Sequence, residues 1–349
     1  MGKTKTEAIV LVQKGNAYRA FEKRTIEINN PIEDEVQIEV ESFGLNYADV
    51  VARYGQYREA PPMPSVIGYE VVGRIVKVGS KSSPYLIGKR VLGFTRFGGY
   101  SKLVNTKESA VSVIDDLNAS EALALCTQSV TAYYMAEYIS PIMKGDKILI
   151  HSAAGGVGTI LIQLAKLKGA TVIAKIGSEN KRELVIALGA DHVINYKQSD
   201  YIQQIEKILN GDRLDISYNP VAGSTFKKDF KLLGSGGRIV LFGGAEMSGT
   251  KWGILSTLNF VRKMGLVLPI GLMMRSKSIL GVNMLKIADN KPEVLTHCLE
   301  QVIELYKVGK IKPQIGGNYL ASEIAKAHED LESGTTIGKL AIHWEVLNA

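Results

Sequence analysis

The run SAAGGVG, Ser152 to Gly158, follows the apolar segment KILIH and opens the segment VGTILIQLAKLKG. Strand, glycine turn and helix in that order give the context a dinucleotide fingerprint requires, which commits this part of the chain to a βαβ unit. In the G-x-G-x-x-G frame Ala153 takes the first glycine position, while Gly155 and Gly158 keep the second and third. Gly155 lets the backbone approach a pyrophosphate and Gly158 lets helix and strand pack closely. Ala154, Gly155, Gly156, Val157 and Gly158 are therefore candidate cofactor-binding residues.

From Lys147 the chain continues as strand and helix in alternation: DKILIHS, ATVIAKIG, ENKRELVIALG, HVINY, DYIQQIEKILN, LDISYNP, FKKDFKLLG, GRIVLFG. That alternation predicts a doubly wound parallel sheet of Rossmann type. Before about Thr127 the rhythm is different, with short β-rich runs and glycine turns (EAIVLVQKG, EVQIEVESFG, GYEVVGRIVKVG) that predict a barrel-like all-β domain. A helix-like segment starts at Asn46. A longer one, NASEALALCTQSVTAYYMAEYI, has Asn118 as cap and Glu121 three residues on, and is expected to bridge the domains. The C-terminal helix and strand pattern is expected to rejoin the first domain. The expected division is residues 1–127 with 283–349, and residues 128–282.

The chain has 349 residues with 46% hydrophobic and 22% charged, which suits two domains and excludes disorder. Two cysteines, Cys126 and Cys298, exclude a disulfide framework and a four-thiolate zinc site, and suit a reducing, cytoplasmic setting. The net charge of +7 is spread along the chain, which favours an anionic cofactor over nucleic acid. MGKTKTEAIV has no apolar signal core, and no transmembrane segment is expected. Gly2 and Thr6 fit a loose acylation pattern, although a strand starting near Thr6 leaves little free arm.

Cofactor choice is read about 20 residues beyond the glycine turn, where an acid would bind the ribose of NAD. Here the strand ends Ala174-Lys175-Ile176-Gly177-Ser178, with Lys181 and Arg182 following. Lys175, Ser178, Lys181 and Arg182 could surround a 2′-phosphate, which predicts NADPH; the alternative is an ordinary solvated basic helix start.

The blocks GLNYADVVARYGQY, PSVIGYEVVGRIVKVG, GKRV, SVTAYY, SAAGGVG, GADHVINY, LFG, KIKPQI and GKLAI occur in one order over nearly the whole chain. In these it resembles the medium-chain dehydrogenase/reductase superfamily, in its zinc-independent quinone oxidoreductase branch, and is similar there to the synaptic-vesicle amine-transport-protein-like members. The resemblance implies an α/β fold with an N-terminal GroES-like β-barrel catalytic domain and a Rossmann cofactor domain. It implies Asn46 and Tyr57 on the substrate side of the nicotinamide, with Tyr57 donating a hydrogen bond or proton to the acceptor oxygen. A helix cap for Asn46 and a barrel-packing role for Tyr57 are the plainer alternatives. Thr131 is implied near the nicotinamide, Tyr196 near the adenine and 2′-phosphate, Phe242 and Gly243 at the carboxamide, and Asn219 near the ribose or in a turn before Pro220. Many quinone reductases carry a second tyrosine where this chain has Val51, so a clamp of two tyrosines does not transfer.

Zinc-dependent relatives use Cys, His-Glu and Cys ligands. Here Asn46 stands at the first Cys position and Tyr69-Glu70 at His-Glu. One carboxylate cannot hold a catalytic zinc, so no metal is expected. Hydride transfer without zinc suits an acceptor that is already electron-poor, a quinone or an enone, because conjugation spreads the arriving charge. The expected function is a zinc-independent NADPH-dependent reductase of such compounds, an enoyl-thioester or alkenal reductase being a variant of the same chemistry. The alternative is a catalytically weak NADPH-binding protein that works at membranes or with lipid. That alternative rests on the apolar segment 251–275, flanked by Lys251, Arg262, Lys263 and Arg275, whose plainer reading is a buried lid or dimer contact. A homodimer is expected from the family, with KSILGVNML as a candidate edge strand.

Overall fold

A computed structural model describes residues 2–247 and 254–345, with Ile254 and Leu255 described by backbone alone. The chain divides into two compact units: unit 1 comprises residues 1–130, 285–307 and 313–349, and unit 2 comprises residues 131–284 and 308–312.

Unit 1 is built on strands β1 (Lys3–Leu11), β2 (Phe21–Asn29), β3 (Glu35–Leu45), β4 (Glu70–Val78), β5 (Arg90–Phe94), β6 (Leu103–Lys107), β7 (Val111–Val113), β14 (Ile315–Leu320) and β15 (Lys339–His343). β1 and β2 form an antiparallel pair, and the remaining strands order as β14-β15-β3-β4-β5-β7 with β6 also on β3. The alternating apolar residues of β3 and β4 drive this packing, since Val36, Ile38, Val40, Phe43, Val71 and Ile75 all lie in one core cluster with Leu340 and Ile342 of β15.

Unit 2 holds strands β8 (Lys147–Ile150), β9 (Thr171–Ile176), β10 (His192–Asn195), β11 (Leu214–Asn219), β12 (Leu233–Leu241) and β13 (Ser278–Gly281). Every pair is parallel and the order is β10-β9-β8-β11-β12-β13, the doubly wound arrangement expected from the sequence. Its strands are apolar on both faces because helices such as Gly156–Leu167 and Tyr201–Leu209 cover the sheet. Part of KSILGVNML is the edge strand β13, and the chain turns helical again at Met284.

Two expectations need correction. The long bridging helix is not continuous: a helix Ala119–Leu125 is capped by the Asn118 side chain as expected, but the backbone breaks at Cys126. The amide of Thr127 turns to the Glu70 carboxylate at 2.7 Å, and the helix restarts over Thr127–Tyr133 before widening to a π-helix at Tyr134–Ile139. The apolar segment is likewise not a buried lid within the chain. Its described part forms helices Ile254–Met264 and Pro269–Arg275, and Leu266, Met273 and Met274 are 87%, 74% and 81% exposed. Lys251 and Trp252 lie outside the described residues. The stretch Ser256–Arg275 has the length and composition of a membrane span. However, Gly265 to Leu268 interrupts it, and an 11-residue helix reaches only about 16 Å against a ~30 Å hydrocarbon core.

Candidate functional site

In unit 2 the glycine turn has the geometry its sequence predicts. β8 ends at Ile150, Ser152 adopts φ +50°, and Gly155 precedes the helix that starts at Gly156. A Cβ on Gly158 would stand 2.5 Å from the Ser152 carbonyl oxygen and 2.7 Å from Ala153 Cα, so helix and strand pack at a distance only glycine permits. The first-turn amides of Gly156, Val157 and Gly158 have no partner four residues back and carry the positive end of a 12-residue helix dipole. Ala154 is buried under the turn, and the Gly155 amide is used within it, donating to the Ser152 carbonyl at 2.9 Å.

The candidate 2′-phosphate residues separate into two groups. Ser178 and Lys181 bracket a single 3-10 turn after β9, and the half-exposed ring of Tyr196 lies over Gly177, its hydroxyl 2.9 Å from where a Cβ would be. Burial holds the Lys181 ammonium below the usual lysine range, with the nearby Lys197 charge adding to the effect. Lys175 reaches both groups: its Nζ lies 3.2 Å from His151 Nδ1 and 3.8 Å from the Tyr201 ring centre inside unit 2, and 4.8 Å from the Tyr196 ring centre. Arg182 pairs with Glu179, an acid just beyond the strand end, which also accepts from Asn195 Nδ2 at 3.2 Å. Lys175 and Arg182 are thus both engaged by groups of the protein itself.

Lys175 is drawn inward by a polar cluster that the sequence did not reveal. The buried Asp229 carboxylate accepts from Tyr201 at 3.0 Å, Ser217 at 2.7 Å and Asn219 Nδ2 at 2.7 Å, and His151 Nε2 lies 2.7 Å away. A neutral imidazole accepting from Lys175 at Nδ1 and facing Asp229 with Nε2 satisfies both neighbours. Burial lowers the affinity of His151 for a second proton, against the pull of Asp229, and pushes the Lys175 ammonium down to about 8. Burial alone would raise the Asp229 carboxyl; the adjoining His151, the hydrogen bonds from His151 and Ser217 and the nearby Lys175 ammonium outweigh that and hold it low.

The Asn219 side chain is consumed by this cluster and by its turn. Its two amide hydrogens go to Thr225 and Asp229, and its oxygen accepts from the Val221 and Ala222 amides at 2.9 Å each. The side chain takes the turn role, and all of its donors and acceptors are used within the protein. Phe242 and the exposed Gly243 follow β12 with backbone groups at the carboxyl edge of the sheet, and Thr131 is buried at the start of unit 2. Cys126 is fully buried, and burial raises its thiol far above the range where a thiolate forms.

In unit 1 the Asn46 backbone amide donates to Asp49 Oδ2 at 2.8 Å, which starts the helix Tyr47–Arg53. The Asn46 side chain turns away from that helix: Nδ2 donates to Glu70 Oε1 at 2.8 Å and Oδ1 accepts from Lys339 Nζ at 3.0 Å. Lys339 also pairs directly with Glu70, both being fully buried. Burial would raise the Glu70 carboxyl, but the Lys339 charge and the hydrogen bonds from Lys339 and Thr127 hold it below the usual range. Asp49 has no such cation in contact, and burial pushes its carboxyl up to about 8 against the opposing Asn46 hydrogen bond. Tyr57 packs its ring on the unit 1 core, and burial raises its phenol to about 12, so it is a neutral donor near pH 7.

The donors at the family's zinc-ligand positions do not fit zinc. They are an amide, a phenol and one carboxylate, and the Lys339 ammonium already occupies the amide oxygen and the carboxylate. Among the described residues no three His, Cys, Asp or Glu side chains gather as a metal set.

Residues 32–116 match the alcohol dehydrogenase GroES-like domain, and residues 156–301 match the zinc-binding dehydrogenase family model. The chain is 29% identical over 313 residues to the synaptic vesicle membrane protein VAT-1 homolog of Danio rerio, covering 89% of this chain and 64% of that protein. It is 30% identical over 314 residues to the quinone oxidoreductase of Salmonella typhimurium, covering 88% of this chain and 90% of that one. The crystal structure of Escherichia coli quinone oxidoreductase complexed with NADPH superposes with a TM-score of 0.85 at 27% identity, over 97% of this chain and 99% of that one. Fold and glycine turn together define a dinucleotide-type dehydrogenase architecture. The chain belongs to the medium-chain dehydrogenase/reductase superfamily, in its quinone oxidoreductase branch, and is VAT-1-like.

Proposed function

We propose that the chain is a zinc-independent NADPH-dependent oxidoreductase acting on quinones or activated enones. The observation that carries this reading is the pairing, in unit 2, of a close-packed glycine turn and its free first-turn amides with Ser178, Lys181 and Tyr196 around Gly177. The amides of Gly156, Val157 and Gly158 hold the pyrophosphate, Lys181 and Ser178 hold the 2′-phosphate, and Tyr196 covers the adenine end. The NADPH complex of the Escherichia coli relative supports NADPH as the cofactor.

When bound, NADPH supplies a hydride. Acceptor reduction then needs one proton, and NADP⁺ leaves. Tyr57, protonated up to about pH 12, donates that proton or a hydrogen bond to the acceptor oxygen and is recharged from solvent. Asn46 offers an amide hydrogen to the same acceptor. The test is stopped-flow oxidation of NADPH against NADH by metal-free protein, with ortho-quinones, para-quinones and enones in parallel. Turnover of one class with NADPH preference, lost at least tenfold in Tyr57→Phe, is expected. Tight NADPH binding with no turnover of any acceptor overturns the reading.

The exposed apolar side chains of the helix pair 254–275 favour a second activity at a lipid surface. Leu258, Val261, Leu266, Leu268, Ile270, Met273 and Met274 are all exposed, with Arg262 and Arg275 nearby in sequence, the pattern of an interfacial helix on anionic headgroups. Sedimentation with phosphatidylserine vesicles, lost in Leu266→Glu/Met274→Glu while NADPH oxidation persists, is the expected result. A homodimer formed through the β13 edge is the accompanying assembly proposal, checked by light scattering.

A further inference from the structure

Three side chains far apart in sequence meet inside unit 1. Asn46 precedes the helix Tyr47–Arg53, Glu70 opens β4 and Lys339 opens β15, and they are 5%, 0% and 0% exposed. Lys339 donates to Asn46 Oδ1 at 3.0 Å and pairs with Glu70, Asn46 Nδ2 donates to Glu70 Oε1 at 2.8 Å, and the Thr127 amide closes the ring on Glu70 Oε2 at 2.7 Å. Gly44, on the neighbouring β3, leaves the space they occupy: a Cβ there would collide with the Glu70 carboxylate and the end of the Lys339 side chain.

A buried ion pair is a poor way to gain stability, because removing two charges from water offsets most of their attraction, and apolar replacements of similar volume are often as stable. It is an effective way to fix an amide. The terminal torsion of asparagine is broad and twofold, so a free side chain presents oxygen or nitrogen with little preference. Here a flip would set Nδ2 against the ammonium and Oδ1 against the carboxylate. One orientation survives, with one amide hydrogen and one lone pair left over.

We propose that Lys339 and Glu70 are positioning residues whose ion pair locks the Asn46 amide in the orientation that serves the acceptor. The inference rests on Asn46 serving the acceptor as set out above. It also accounts for what these family positions do in a chain whose donors do not fit zinc.

The test compares wild type with the double variant Glu70→Gln/Lys339→Met, which removes both charges and keeps the approximate shapes. In protein labelled with 15N-asparagine and free of cofactor, the Asn46 side-chain amide pair is identified by its loss in Asn46→Ala. The expected result is that this pair moves from a displaced position into the envelope of unrestrained amides in the double variant, with a cooperative thermal transition retained. With NADPH and a quinone, kcat falls 10- to 100-fold while KM for NADPH changes less than twofold. An unmoved amide pair, or turnover within twofold of wild type, overturns the proposal. Should the double variant fail to fold, Glu70→Asp, which draws the carboxylate back by one methylene, must shift the amide pair and lower kcat; no shift overturns the proposal equally. If wild type reduces no acceptor, the functional reading fails, and the amide resonances alone decide whether the ion pair holds Asn46.

Discussion

The rings of Tyr57 and Tyr69 meet edge-on, with centroids 6.1 Å apart, and the Tyr69 hydroxyl is buried without a hydrogen-bond partner among the described residues. A buried hydroxyl left unpaired costs about 1–3 kcal/mol. Tyr69→Phe is therefore expected to raise the unfolding free energy by about 1 kcal/mol or leave it unchanged, measured by urea denaturation without ligand. A loss of stability means that the hydroxyl has an ordered-water partner. A gain in stability accompanied by a fall in quinone turnover marks the hydroxyl as working on the acceptor side.

Asp49 gives stability a pH dependence of known sign. The folded chain keeps its carboxyl protonated to about pH 8, because burial disfavours the charge, whereas the unfolded chain releases the proton near its ordinary value of 3.8. Between those limits the folded state binds the extra proton, so this contribution falls as pH rises and is flat above about 8. Asp49→Asn keeps an acceptor for the Asn46 amide and removes the titration. The difference in unfolding free energy between wild type and variant should change by a few kcal/mol from pH 4 to pH 8; a constant difference rules the mechanism out.

Gly158→Ala is expected to be far more damaging than Gly155→Ala. The added methyl at 158 meets backbone at 2.5 and 2.7 Å, whereas at 155 its nearest neighbour is the Ser152 oxygen at 3.2 Å. Overpacking of this kind costs about 1–3 kcal/mol and shifts the helix start. Scanning calorimetry should show the thermal transition lowered for Gly158→Ala and little changed for Gly155→Ala, whereas NADPH affinity falls in both, at 155 because the methyl stands where the pyrophosphate approaches.

Lys181 and Lys175 lie six residues apart with unequal expected effects on cofactor choice. Removing a charge-assisted contact to the 2′-phosphate costs about 1.5–3 kcal/mol, so Lys181→Ala should weaken NADPH about 10- to 100-fold and leave NADH nearly unchanged. Lys175→Met should lower the preference for NADPH less than Lys181→Ala does, since Lys175 is held by His151 and the Tyr201 ring and reaches the cofactor end only over the Tyr196 ring. Equal loss of NADPH discrimination in the two variants would contradict this division.

What could be read from the sequence was what is local. The turn at Gly155 and Gly158 was legible because strand, turn and helix are contiguous and the need for glycine arises from its own neighbours. The parallel sheet was legible from the alternation after Lys147. The inward contacts of Lys175 were illegible because it follows Val172, Ile173 and Ala174 in a strand buried on both faces, where even a basic residue is drawn toward a buried Asp229. Nothing local marks Asp229 itself, four residues into an amphipathic helix segment. Lys339 escaped notice for the same reason: its partners Asn46 and Glu70 are brought to it only by the pairing of β15 with β3 and of β3 with β4. The exposure of Leu266 and Met274 was illegible because an apolar run in sequence reads as burial.

The place of β15 also sets an order of events during synthesis. The strands of unit 2 are all complete by Gly281, so that sheet can assemble while the rest of the chain is still being made. Unit 1 cannot, because β15 lies between β14 and β3 and carries the lysine that neutralises Glu70. Until residues 339–343 leave the ribosome, β3 has an open edge and the Glu70 carboxylate has no buried cation. Unit 1 starts before unit 2 and is finished after it, and the nascent chain must hold an incomplete β-sheet until β15 arrives.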